Sequence, residues 1–230
     1  MSIIDEYKVH DKILIAVDCI IFGFDGKDLQ VLLIKRAFEP EFGKWSLMGG
    51  FVTLNESADD GAYRILKKLT GLSNIYMEQL YCLADVNRDP GGRVISIAYF
   101  ALIKIDDYSE KLMKEYNAKW YNINSIPSMI FDHEKMILMA RERLKQKVAA
   151  HPIGFELLPE KFTLSQLQSL YEAIYESSFD KRNFLRKILS LGILIKLNEK
   201  EKLLSKKGSF YYMFDFKKYK KLEQEGLKFI

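Results

Sequence analysis

Residues 49–72, GGFVTLNESADDGAYRILKKLTGL, constrain the fold more than any other stretch of this chain. Ser57 followed by Asp60 has the form of a capping box, in which hydroxyl and carboxylate satisfy backbone N–H groups that the first helical turn leaves open. Ala58, Ala62, Ile65, Leu66 and Leu69 then recur at helical spacing. Gly71 is placed to end the helix in the left-handed conformation. Ahead of it, Gly49-Gly50 allows the backbone to turn and to come close to a ligand. Periodicity alone implies only an amphipathic helix after a glycine turn.

The fixed offsets imply more. Gly50, Glu56, Arg64, Leu66, Gly71 and Leu72 fall on the pattern G-x5-E-x7-R-E-U-x-E-E-x-G-U, with U aliphatic, so the stretch resembles the Nudix box. The resemblance implies a Nudix fold. Ile65, Lys68 and Leu69 stand where the pattern has glutamates, which in the family's enzymes hold Mg²⁺ or Mn²⁺ against a substrate diphosphate. Hard cations take oxygen ligands, and two aliphatic side chains and an ammonium offer none. The expectation is a Nudix frame without catalytic residues, metal or cofactor.

Upstream of the box, residues 13–24 read as a largely buried strand, Asp25-Gly26 as a turn and residues 29–37 as a second strand, together a hairpin. The first of these runs is twelve residues long and carries Asp18, too short and too charged to cross a membrane. Residues 38–51 form a loop into the box. Downstream, residues 77–105 give two strands around a turn at Asp89-Pro90-Gly91-Gly92, and residues 120–148 end in a helix. The N-terminus lacks the apolar core of a signal peptide. Cys19 and Cys82, in apolar runs without metal spacing, read as reduced core residues of a cytoplasmic protein.

At 230 residues and 48% hydrophobic, the chain can bury two cores. The breaker cluster His151-Pro152-Ile153-Gly154 places a boundary between residues 1–150 and 151–230. Beyond it, residues 162–175 read as a helix capped by Thr163, with Leu164, Leu167, Leu170, Tyr171 and Ile174 on one face. Asp180 caps a second helix over 181–191. Its Phe184, Ile188 and Leu191 face inward, leaving Lys181, Arg182, Asn183, Arg186 and Lys187 outward. Two strands, 192–198 and 209–216, flank a basic tip at 199–208 that carries Lys200, Lys202, Lys206 and Lys207. That order is a winged helix-turn-helix. The charge follows it: residues 1–154 hold 20 Lys+Arg against 21 Asp+Glu, while residues from 181 onward hold 14 against 5. A basic tail on a neutral body suits a polyanion, although a solvated lysine-rich surface has the same composition.

With both halves in view, the chain resembles the Nudix-related transcriptional regulators through RDPGGRVISIAY (88–99), FDH (131–133), FELLPEKFTLSQLQSLYEAI (155–174) and DKRNFLRKILSLGIL (180–194). The likeness implies an α+β fold, a Nudix-like α/β/α sandwich followed by a winged helix, and a homodimer on palindromic operator DNA. It further implies an effector in residues 1–150: a pentose such as L-arabinose if the arabinose-responsive branch is the right one, an ADP-ribose-like nucleotide if another is. Candidate effector contacts are Arg36, Trp45, Gly49, Gly50, Glu56, Arg64, Arg88, Asp89 and His133. Some have simpler readings. Trp45 serves equally as a core anchor, Glu56 and Arg64 pair with each other, and His133 caps or hydrogen-bonds within the core. Lys68 either leaves an ammonium where the metal would sit or points to solvent. Lys181, Arg182, Asn183, Arg186 and Lys187 are the candidate base and phosphate contacts, and the wing lysines grip backbone. Two rivals remain: a hydrolase using Glu56 with Asp85 or Asp89, and an adaptor whose basic tail is only solvated. The sequence leaves repression or activation open.

Overall fold

The computed structural model describes residues 7–71, 73, 75–107, 114–202 and 208–225. Its central strand is β1 (Leu14–Phe24). Side chains alternate across a strand, and β1 buries both of its faces. Val17, Cys19 and Ile21 enter one apolar cluster, Ile20, Phe22 and Phe24 another. A strand covered on both faces reads as a continuous apolar run, which is why residues 13–24 show no alternation.

Along one edge β1 pairs in parallel with β6 (Val94–Leu102). The other edge is shared. Its Ile21–Phe24 segment pairs with β2 (Leu29–Lys35), and Ala16–Cys19 pairs with β4 (Met48–Phe51), both antiparallel. The short β3 (Trp45–Ser46) stays on β2 through Ile34 and Lys35. Strands β3 and β4 therefore wedge β2 away from the first half of β1, and a cleft opens there. On the outer edges lie β5 (Tyr76–Leu83), beside β6, and β7 (Ala118–Asn122), beside β2.

Helix α1 (Ala58–Thr70) covers one face of this sheet with Ala62, Ile65, Leu66 and Leu69. Ser57 and Asp60 form the expected capping box, and Gly71 closes the helix at φ 72°. Helix α2 (His133–Ala150) covers the other face with Met136, Ile137, Ala140, Leu144 and Val148. The α/β/α sandwich is present.

The second unit follows a 3-10 turn, Ile153–Leu157, that buries Phe155 and Leu157. Its elements are β8 (Phe162–Thr163), α3 (Leu164–Tyr175), α4 (Lys181–Ser190), β9 (Leu194–Glu201), β10 (Ser209–Phe214) and α5 (Phe216–Gln224). The strands form a sheet in the order β8-β10-β9, which completes a winged helix. Thr163 and Gln166 make a reciprocal cap on α3. The second unit does not have a core of its own. Leu167, Leu170, Tyr171, Ile174, Ile188 and Ile193 join the cluster that contains Phe22 and α2. Tyr175 Oη donates to Lys145 O at 3.0 Å, and Arg141 pairs with Glu176 across the same junction.

Several expectations need correction. Gly49 and Gly50 lie within strand β4 opposite Asp18 and Val17, so their small size serves close packing, not a turn. Cys19 is buried, and burial pushes its thiol up, but Cys82 is exposed because the outer strand β5 leaves that side uncovered. Strand β9 runs on through Glu201, which takes Glu199–Glu201 out of the basic tip and pairs Lys200 with Phe210. The last strand stops at Phe214, where Asp215 caps α5 by accepting Lys218 N–H at 2.9 Å. Leu72, Lys206 and Lys207 lie outside the described residues.

Candidate effector cavity and DNA-binding surface

A cavity of about 320 Å³ occupies the cleft between β1/β4 and β2. Its floor is polar and closed to solvent. Asp18, the one acid of β1, accepts a 2.6 Å hydrogen bond from Ser96 Oγ. It also lies 3.8 Å from both Arg88 Nη2 and His133 Nε2. Arg88 in turn donates to both Asp132 carboxylate oxygens at 3.0 and 2.7 Å. The Leu47 backbone N–H donates to His133 Nδ1 at 3.0 Å, so in the neutral ring the proton sits on Nε2, facing Asp18. Burial pushes the His133 pKa down, against the opposing pull of Asp18 and Asp132, which keeps the ring neutral.

Local sequence explains the tight floor. Leu47 lies where the chain passes from β3 to β4, and His133 opens α2 directly beneath it. A methyl at Gly49 would overlap Asp18 Oδ1 and stand 2.8 Å from Val17 O, so only glycine lets β4 lie this close. The wall opposite is aromatic. The Arg36 guanidinium sits 4.0 Å from the Phe38 ring centroid and 5.3 Å from that of Phe131. Its Nε donates to Phe38 O and Pro40 O.

Six of the nine candidate contacts therefore converge on this cavity: Arg36, Gly49, Gly50, Arg88, Asp89 and His133. Three do not. Trp45 packs edge-on against Tyr121 at 5.0 Å with Lys35 Nζ over its other side, as a core anchor would. Glu56 and Arg64 hold each other through two hydrogen bonds of 2.8 and 2.6 Å. Arg64 further donates to Phe51 O, and Glu56 accepts Thr53 N–H. The Arg64 pair and the Thr53 N–H draw the Glu56 carboxyl down to about 2. That lock fixes the entry of α1. The residues that sequence reasoning missed are Asp18, Ser96, Phe38 and Phe131. An acid inside an apolar strand was the available signal for Asp18, because a buried charge needs partners.

A divalent cation does not fit the donor set. Ile65 and Leu69 are buried aliphatics, Lys68 is exposed at the cavity edge, and Glu56 is held by Arg64. Among the described residues, no group of three or more His, Cys, Asp or Glu could hold a metal ion. Nor does an alternative carboxylate set gather around Glu56. Asp85 accepts from Asn87 N–H and Asp89 from Gly91 N–H, each closing its own turn.

The second surface is α4. Lys181, Arg182, Asn183, Arg186 and Lys187 are all exposed along it. Asp180 caps the helix by accepting Asn183 N–H at 2.8 Å, and Arg186 donates to Asn183 Oδ1 at 2.8 Å. On the wing, the ammonium groups of Lys196 and Lys200 lie 3.8 and 4.5 Å from the Phe210 ring centroid, and Lys202 is exposed beyond them. Part of the basic charge lies elsewhere, on α5, whose Lys217, Lys218, Lys220 and Lys221 are exposed.

Comparison with known proteins bears on both surfaces. Residues 12–147 match the NUDIX domain and residues 154–214 the NrtR DNA-binding winged helix domain. The chain is 31% identical over 210 residues to the "ADPR responsive transcriptional repressor NtrR" of Acinetobacter baylyi, covering 90% of this chain and 84% of that protein. The chain belongs to the NrtR-type Nudix-related transcriptional regulators. Solved NrtR structures agree with that membership. Shewanella oneidensis NrtR complexed with a 27mer DNA superposes with a TM-score of 0.80 at 27% identity, over 90% of this chain and 95% of that one. The NUDIX domain of the same NrtR complexed with ADP ribose superposes at 0.51 and 29% identity, over 63% and 99%.

Proposed function

We propose that this NrtR-type regulator is a repressor that binds operator DNA as a homodimer and releases it on binding an ADP-ribose-like nucleotide, without hydrolysing that nucleotide. The observation that carries the reading is the end-to-end likeness to a repressor described as ADPR responsive, together with the likeness to an NrtR held on DNA. The pentose expected from the arabinose-responsive branch finds no support among these relatives. The cavity favours the nucleotide on chemical grounds. It joins a hydroxyl-binding floor of Asp18 and His133 to an aromatic wall of Phe38 and Phe131, and it has a free cation, Lys68, at its edge. Ribose hydroxyls, a base and phosphates need those three features in one place.

The mechanism is linkage. An effector shifts operator affinity by no more than its differential binding to the DNA-competent and DNA-incompetent states. The shared core between sandwich and winged helix gives a path for that difference. The nucleophile-activating metal of a Nudix hydrolase has no oxygen ligands at positions 65, 68 and 69, so turnover is not expected.

Fluorescence anisotropy with DNA from upstream of the chain's own coding sequence tests the reading. ADP-ribose should release the DNA and L-arabinose should not, and no AMP should form with Mg²⁺ present. With three or four phosphate contacts per subunit, log K should fall against log salt with a slope of about −5 to −7. Arg182→Ala should cost about 1–3 kcal/mol and relax preference at one base of each half-site if it reads a base edge. Lys202→Ala should weaken all sequences alike and flatten the slope by about one unit. Release by arabinose alone, or binding indifferent to salt, would refute the proposal.

A further inference from the structure

We infer that the Lys68 ammonium takes the place of the divalent cation, so that the cavity recognises a diphosphate without metal. This rests on the reading of the effector as an ADP-ribose-like nucleotide. Diphosphates carry their charge on oxygens that something cationic must meet. In this chain the helix face that would supply a cation instead carries Ile65, Lys68 and Leu69.

Two of these are committed to packing. Ile65 is 4% exposed, and its Cδ1 lies 3.0 Å from where a Gly50 methyl would stand. Leu69 is 8% exposed within the cluster under α1. Neither can turn outward without opening the core. Lys68 is different. It is exposed, it borders the cavity, and among the described residues it makes no hydrogen bond or ion pair.

The other cations of the cavity are engaged. Arg88 is bidentate to Asp132, Arg36 is bonded to Phe38 O and Pro40 O between two rings, and Lys35 lies 4.2 Å over Trp45. Lys68 is thus the cation left to receive phosphate oxygens. Its ammonium offers three donors on a flexible stem, which suits two phosphate groups whose oxygens do not lie in one plane. One positive charge takes the place of two and adds no acid to hold it. The exchange suits a sensor, which needs to bind a diphosphate and not to polarise it for attack.

Calorimetric titration of the full chain with ADP-ribose, once in EDTA and once in millimolar Mg²⁺, tests the inference. The natural protein should bind with the same affinity in both, to within about twofold. Lys68→Ala should weaken binding about ten- to a hundredfold in both, the scale of a lost charge-assisted hydrogen bond. Lys68→Arg should retain most of the affinity. Lys68→Glu should bind poorly in EDTA and recover part of its affinity with Mg²⁺, because the carboxylate returns a ligand to the metal. Thermal unfolding of each variant checks that α1 is intact. Affinity of the natural protein that falls tenfold or more in EDTA, or a Lys68→Ala variant that binds unchanged, overturns the inference and leaves the nucleotide-responsive reading standing. No ADP-ribose binding in either buffer, by a protein that still binds DNA, overturns both.

Discussion

Removing the Arg88 guanidinium should expose how much of the cavity floor depends on one buried charge. Its side chain is 3% exposed, bonded twice to Asp132 and 3.8 Å from Asp18. Arg88→Ala strands two carboxylates, one 11% and one 20% exposed. Breaking a buried pair from one side costs about 3–5 kcal/mol, because the remaining charge is left without a partner. Water reaches Asp132 in part, so the lower end, about 3 kcal/mol, is expected. With a urea dependence of about 3 kcal/mol per molar for a chain of this size, the unfolding midpoint should fall by about 1 M. The decisive comparison is a cycle with Asp132→Asn. If the pair is as close as the two hydrogen bonds indicate, the double variant should be more stable than the sum of the single losses predicts, by about 1–3 kcal/mol. Additive losses, or an Arg88→Ala variant within about 1 kcal/mol of the natural protein, would refute the account of the floor.

Two other perturbations separate neighbouring roles. Gly49→Ala forces a methyl against Asp18 and the Val17 carbonyl and should cost about 1–3 kcal/mol, whereas Gly50→Ala meets only the mobile end of Ile65 and should cost less. Scanning calorimetry ranks them, and equal losses would contradict the register. Glu56 has its folded pKa lowered to about 2 from an ordinary 4.5 by Arg64 and Thr53. The stabilisation this brings is present above 4.5 and is lost as pH falls toward 2. A carboxyl ¹³C titration should show the low midpoint in the natural protein and a value near 4.5 in Arg64→Ala.

The parts legible in sequence are those written in local chemistry. Ser57, Asp60 and Gly71 marked the ends of α1 because caps use neighbouring residues, and Thr163 and Asp180 did the same for α3 and α4. The pairing of Glu56 with Arg64 was legible from spacing, since eight residues bridge loop and helix. The cavity floor was not. Asp18, Ser96, Arg88 and His133 come from β1, β6, the β5–β6 turn and α2, and only the sheet register brings them together. Gly49 looked like a turn residue because glycine has two uses, and the strand opposite decides which applies. Strand β7 escaped notice because its AKWYN is only partly covered and has little apolar alternation.

The continuous apolar cluster also bears on how such a chain can change over generations. Helix α2 packs by Met136, Leu144 and Val148 into the same cluster as Leu167, Leu170 and Ile174 of α3. A recombination event that exchanged one half for a relative's would have to bring a matching surface with it, or leave mismatched volumes at the seam. Phe38, Lys68 and Phe131 belong to neither apolar cluster. Point substitution there can drift from one metabolite to another while the fold and the operator surface stay as they are. New signals are therefore open to this lineage by small steps, and new partners for either half only by large ones.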